Sequence, residues 1–139
     1  MKRPAFIRIA GAAVLIGSGV MLAGYLWLAL DTPRVLRQAG IDWPAANYVN
    51  LAVLLLLHLL GVIAGAGLVS FQRWAPIAAA AYPAGLFLHG SFWFLRRPRL
   101  DETILELLIY VVVLLAAWWF LLRPRSSALF HEHTLQPPG

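Results

Sequence analysis

Four stretches of this chain carry almost no charge, and each is long enough to cross a bilayer. They cover residues 9–30, 43–71, 74–95 and 104–122, and only the last contains an acidic residue, Glu106, near its start. About 20 apolar residues in a helix cross the hydrocarbon core of a membrane, which is roughly 30 Å thick. The pattern therefore predicts an all-α integral membrane protein, built as an antiparallel bundle of four transmembrane helices with short loops.

The residues between the apolar stretches predict where each span ends. We expect spans at about 7–30, 46–71, 76–95 and 103–122 within a membrane domain of residues 1–125, followed by a polar tail, 126–139. After the first span, Asp31 and Thr32 can cap a short separate helix that has Pro33 in its first turn and ends at Gly40. Pro76 suits the opening turn of the third span, so the second and third spans should form an antiparallel hairpin.

Composition and charge agree with a membrane location. Hydrophobic residues make up 61% of the chain and charged residues 12%, whereas a soluble domain has about 25% charged residues. The net charge of +5 comes from basic residues at the ends of the apolar runs, where they meet lipid headgroups rather than a nucleic acid. The absence of cysteine excludes disulfides and cysteine-ligated metals.

The orientation follows from the two ends of the first span. Lys2 and Arg3 precede it and Asp31 follows it, which favours a cytoplasmic N-terminus, although Lys and Arg overall are divided six to five between the two sides. The first apolar run is longer than the roughly 7 to 15 residues of a secretory signal, so we expect it to stay uncleaved. We expect a multi-pass protein of the bacterial inner membrane with both termini in the cytoplasm.

Small residues predict where the helices pack. Gly61 and Gly65 lie one turn apart on the second span, and Ala81 and Gly85 do so on the third. Membrane helices associate where such residues let their backbones approach closely, within one chain or between chains. Pro83 removes one backbone hydrogen bond from the third span and is expected to kink it.

The polar residues inside the spans are few and fall on defined helix faces. Helical spacing places Asn50 and His58 on the face of Gly61 and Gly65, and His89 on the face of Ala81 and Gly85. Glu106 and Tyr110 lie one turn apart on the fourth span. From the rise of a helix, His89, Glu106 and Tyr110 lie at similar depths and can form a hydrogen-bonded cluster, while His58 lies deeper. For His58 an ordinary structural role as a hydrogen-bond partner is favoured over a functional one, and for His89 the two roles stand equal.

The sequence contains no motif that fixes a reaction. Phosphate-binding loops, a nucleophile elbow and zinc-protease spacings are missing, so we expect neither catalytic residues nor a metal site. The favoured function is a non-catalytic accessory or assembly subunit that acts through helix contacts with a membrane-protein partner or a second copy. The alternative is an oligomeric proton-linked carrier or channel for a small solute. A protein that binds quinone, or haem b through His58 and His89, is a third possibility.

Overall fold

The computed structural model describes residues 5–96 and 100–121, and the regular elements of this part of the chain are all helices. They are α1 (Ala5–Gln38), α2 (Ala45–Val69), α3 (Ala75–Arg96) and α4 (Leu100–Leu121). Within these residues the prediction of an all-helical chain is confirmed. By length and composition, α1 and α2 can each cross a membrane. The predicted tail, 126–139, lies outside the described residues.

Helix α1 is longer than the sequence pattern predicts, because it continues through Pro33 to Gln38. The prediction of a separate short helix after residue 30 is wrong. A proline inside a helix removes one backbone hydrogen bond, whereas a break at Asp31 would leave the carbonyls of a whole terminal turn without helical partners.

The expected role of Gly40 as the stop signal of this segment is consistent with the structure. Gly40 has a positive φ of 70°, and its N–H donates to the Arg37 carbonyl at 3.2 Å, while the Ile41 N–H donates to the Leu36 carbonyl at 2.9 Å. These two bonds form a Schellman cap. Glycine suits this position because the left-handed conformation costs it little.

The α2–α3 turn ends in the same type of cap, but with Phe71 in the glycine position. Phe71 has a φ of 56°, and the Gln72 N–H donates to the Gly67 carbonyl at 2.9 Å. The left-handed conformation costs a residue with a Cβ about 1–2 kcal/mol. The Phe71 side chain is buried, and burial of a phenyl group stabilises the fold by about 1.5–3 kcal/mol, which offsets that cost.

Helices that are consecutive in the chain pack against each other: α1 on α2, α2 on α3, and α3 on α4. The apolar core lies near the α2–α3 turn, where one cluster contains Ile7, Ala64, Leu68, Phe71, Ala75 and Ala79. Among the described residues, this cluster therefore lies at the end where α1 begins, α2 ends and α3 begins.

Glycines bring α1 and α2 into close contact. A Cβ added at Gly65 would lie 2.5 Å from the Leu15 nitrogen and 2.8 Å from the Gly11 carbonyl oxygen. A Cβ at Gly11 would lie 2.8 Å from the Leu68 Cβ. Backbone atoms cannot move aside as a side chain can, so this contact requires glycine on both helices.

On α3 the packing face differs from the expected one. Gly85 contacts Leu57 of α2, but Ala81 is exposed, and Ala79 and Ala80 are buried in its place. Among the described residues, the buried alanines of α3 therefore lie off the predicted line of Ala81 and Gly85. Helix α3 continues through Pro83, which is buried.

Candidate functional site: two histidines between the helices

The first polar site lies at the junction of α1, α2 and α3, and we call it the deep site. It consists of Ser18, Tyr25, His58 and Tyr82. His58 is 4% exposed, and its Nδ1 lies 2.9 Å from the Tyr82 hydroxyl oxygen. The hydroxyl donates to Nδ1 if the ring proton is on Nε2, and accepts from it in the other tautomer. Either arrangement satisfies both groups of a neutral pair.

Two tyrosine rings enclose the His58 imidazole. Tyr25 stacks on it, with ring centroids 5.2 Å apart and planes inclined by 19°. Tyr82 meets it edge to face at 5.8 Å and 66°. Both arrangements are favourable for aromatic rings. Because one tyrosine comes from α1 and the other from α3, His58 joins three helices.

Ser18 completes the deep site. A Cβ at Gly61 would collide with the Ser18 hydroxyl and would lie 2.8 Å from Cζ of Tyr82, so Gly61 provides the space in which these side chains meet. The Ser18 hydroxyl comes close to the Tyr82 side chain without reaching hydrogen-bond geometry, and it has no hydrogen-bond partner among the described residues. An unpaired buried hydroxyl is costly, so Ser18 is the least satisfied member of the deep site.

The second polar site lies nearer the other end of α2 and α3, and we call it the groove site. It consists of Asn50, His89 and Trp93. His89 Nε2 lies 2.6 Å from Oδ1 of Asn50, and the Trp93 indole N–H points to the same nitrogen at 3.2 Å. A ring nitrogen either carries a proton and donates a hydrogen bond, or carries none and accepts one. Nε2 of His89 therefore cannot donate to Asn50 and accept from Trp93 at the same time. The shorter contact favours the bond to Asn50, which leaves the indole N–H competing for an acceptor.

The groove site borders an open groove of about 560 Å³ between α2 and α3. The walls of the groove are mainly apolar and include Val49, Val53, Leu57 and Leu88. Arg96 lies at its outer end, with its guanidinium carbon 4.3 Å from the centroid of the Phe92 ring, which is within the range of a cation–π contact.

A tight apolar contact lies between the two sites. Asn50 and His58 are eight residues apart on α2, a separation of about 12 Å. Between them, Leu57 lies against Gly85, where an added Cβ would come within 2.5 Å of a leucine methyl carbon. The groove reaches this contact, and His58 lies beyond it. The polar side chains of the two sites therefore do not form one continuous path through the described residues.

The residues predicted from the sequence divide between these sites. His58 lies in the deep site, and Asn50 and His89 lie in the groove site. The side chains of Glu106 and Tyr110 lie outside the described part of the structure, so their pairing with His89 stays a prediction. His58 and His89 belong to separate sites with their own partners, and this arrangement does not fit two axial ligands on one haem iron. Among the described residues, no three potential metal ligands from His, Cys, Asp and Glu come together.

The sequence reasoning missed three neighbours of the histidines, Tyr25, Tyr82 and Trp93, and it also missed Ser18 beside Tyr82. Their spacing contains a usable signal. Tyr25 follows Ser18 by seven residues, and Tyr82 and Trp93 lie on the helix face of Gly85 and His89.

No protein-family model matches the chain, and comparison with curated proteins and with solved structures finds no similar protein.

Proposed function

We propose that this chain is a small multi-pass membrane protein with four spans, and that it works as a non-catalytic accessory or assembly subunit. The observation that carries the membrane part is the large apolar surface of the described helices. Large apolar side chains are exposed along every described helix, including Ile16, Leu56, Leu88 and Val112, whereas two polar residues of the described part, Ser18 and His58, are buried. Apolar surfaces of this extent mark contact with lipid or with other proteins, and backbone polar groups in lipid are satisfied within helices.

The low burial of α1 and α2 supports the same proposal. Only 6% of the most apolar window of α1 and 33% of that of α2 are buried within the chain. The core helix of a soluble protein would be mostly buried, because it is apolar for the purpose of packing against its neighbours. Lipid is the environment in which these exposed faces are stable.

A test of the membrane topology uses single cysteines, since the chain has none of its own. Four spans place positions 39 and 101 on one side and positions 5 and 127 on the other, with the last two in the cytoplasm of a bacterial cell. We expect an impermeant thiol reagent on the outside of cells to label Ala39→Cys and Asp101→Cys only. Labelling of Ala5→Cys but not Ser127→Cys, or the reverse, would show an odd number of spans.

The assembly part of the proposal depends on the second face of α1. Gly11 and Ser18 are buried, and Gly11 meets α2. Ala13, Gly17 and Gly24 are exposed, and a Cβ at Gly17 or Gly24 would meet nothing within 4 Å. At about 100° per residue these three positions fall within about 40° of each other. Such a face allows another helix to approach closely, so we propose it as the contact with a partner subunit or a second copy.

If this face of α1 is the contact, larger side chains on it should prevent association with the partner subunit or second copy. Replacing Gly17 and Gly24 together with leucine should separate the partner, or a second copy, from protein purified in mild detergent. Ala23→Leu is the matched control, because Ala23 is exposed on α1 but lies off this face. Co-purifying chains and cross-linked species are measured by mass spectrometry. If the double variant retains the same partners as the control, the assembly face is wrong.

A carrier or channel has less support. Transport of a proton or polar solute needs polar groups or water along the whole path, whereas the contact of Leu57 with Gly85 separates the two polar sites. A proton flux in liposomes that disappears in both His58→Ala and His89→Ala would favour this second function.

A further inference from the structure

We propose that the groove between α2 and α3 binds one phospholipid with an anionic headgroup, its phosphate at Arg96 and one acyl chain along the apolar walls. This inference rests on the proposed membrane location. It goes beyond the accessory role, because it assigns a ligand class and a site. The proposal depends on three properties of the groove: its length, its charge and the kind of hydrogen-bonding groups at its outer end.

The length of the groove matches one leaflet of a bilayer. Its lining residues run from Leu57 to Ala46 on α2 and from Gly85 to Arg96 on α3. Eleven helical residues span about 16 Å, and half of a roughly 30 Å hydrocarbon core is about 15 Å. Arg96, the charged end of α3, belongs at the level of the headgroups. The closed end, where Leu57 meets Gly85, then lies near the middle of the membrane.

The charge of the outer end favours an anion. Arg96 is exposed and ends α3, and the described lining residues include no carboxylate. The Phe92 ring lies against its guanidinium carbon, which restrains the group at the edge of the groove. The N–H groups around the rim of a guanidinium can bind two phosphate oxygens side by side.

The hydrogen-bonding groups at this end include more donors than the groove site can satisfy. Arg96 carries only donors, and the Trp93 N–H competes with Asn50 for one nitrogen of His89. A phosphodiester supplies only acceptor oxygens, so it complements these donors. The apolar walls offer nothing to a polar headgroup but suit an acyl chain.

Lipid retention after purification tests the proposal. Protein reconstituted in vesicles of equal parts phosphatidylglycerol and phosphatidylcholine is extracted in mild detergent, and lipid that stays bound is counted by native mass spectrometry. We expect one retained phosphatidylglycerol per chain. Arg96→Gln should lower the preference for phosphatidylglycerol about fivefold, since one basic residue at a membrane surface contributes about 1 kcal/mol. Arg96→Lys keeps the positive charge but loses the paired N–H groups of the guanidinium, so its preference for phosphatidylglycerol should lie between those of the unchanged protein and Arg96→Gln.

Two matched controls separate a site from general attraction to anionic lipid. Arg34 lies near the end of α1 and outside the groove, so Arg34→Gln should leave the bound lipid unchanged. Val53→Trp fills the groove and should abolish the retention of both phosphatidylglycerol and phosphatidylcholine. Leu56→Trp places the same ring on an exposed part of α2 away from the groove, so it should leave the retention of both lipids unchanged.

The outcomes are distinguishable. An equal loss in Arg96→Gln and Arg34→Gln would overturn the proposal in favour of diffuse surface charge. A second protein chain that is lost in Val53→Trp would overturn it in favour of a docked helix. A chain that does not enter the vesicles at all would instead contradict the membrane location on which this inference rests.

Discussion

The two histidine sites use the same chemistry in opposite surroundings. In the deep site, His58 is enclosed by tyrosines from two other helices and its hydrogen bond is buried. In the groove site, His89 is half-buried and shares one nitrogen between two neighbours beside an open groove. The difference suggests separate roles, because a closed site in which side chains from three helices meet holds those helices together, whereas an open site with surplus donors can take a ligand.

The largest predicted difference in stability between the two sites comes from replacing Gly61 in the deep site and Gly85 at the closed end of the groove. Gly61→Ala places a methyl group against Ser18 and the rigid Tyr82 ring, and overpacking of this kind costs about 1–3 kcal/mol. Gly85→Ala meets only the end of the flexible Leu57 side chain, which can turn toward the groove, so its cost should be small. Unfolding of the detergent-solubilised protein measures both. Equal destabilisation would show that the groove is as closed as the deep site.

The second effect concerns the hydrogen bonds themselves. Tyr82→Phe removes the partner of His58 within a buried site, and Asn50→Ala removes a partner of His89 beside the groove. Hydrogen bonds between membrane helices average about 0.6 kcal/mol and reach about 1.7 kcal/mol. We expect Tyr82→Phe to lower the free energy of unfolding by an amount near the upper value, and Asn50→Ala to lower it by the average or less. The reverse order would break the contrast between the two sites.

The smallest effect decides which partner of His89 matters. A double-mutant cycle of Asn50→Ala with His89→Ala should give a coupling of about 0.5 kcal/mol, because the two side chains touch. The sequence predicts a second pair, His89 with Glu106, whose cycle should also depart from additivity if that pair forms. If the effects of His89→Ala and Glu106→Ala on the free energy of unfolding add, while those of His89→Ala and Asn50→Ala do not, His89 is coupled to Asn50 of α2 and not to Glu106 of α4.

The sequence predicted the class of structure better than the details of the sites. Long uncharged runs are a strong helix signal, and the described residues are helical where that signal is strongest. The end of α1 was predicted wrongly at Asp31 because Pro33 is compatible with both the start and the interior of a helix. Only the balance of hydrogen bonds in the folded chain decides between them.

The partners of the histidines were harder to predict because they depend on rotation between helices. Helical spacing places His58 on the face of Gly61, but it does not say that Tyr82 of α3 and Tyr25 of α1 reach that face. Apolar residues surround the helices on all sides, so the hydrophobic pattern does not indicate which side faces inward. The same ambiguity applies to Ala81, which is exposed within this chain, so its packing against another helix stays a prediction.

The uninterrupted α1 helix has a mechanical consequence. Its 34 residues measure about 51 Å, of which the uncharged part up to Leu30 accounts for roughly a bilayer thickness. The segment that carries Arg34 and Arg37 therefore continues the same helix whose first part packs on α2. A 10° change of tilt moves one end of the helix by about 9 Å relative to the other. A displacement of the Arg34 end thus reaches the part of α1 that packs on α2 without passing through a loop.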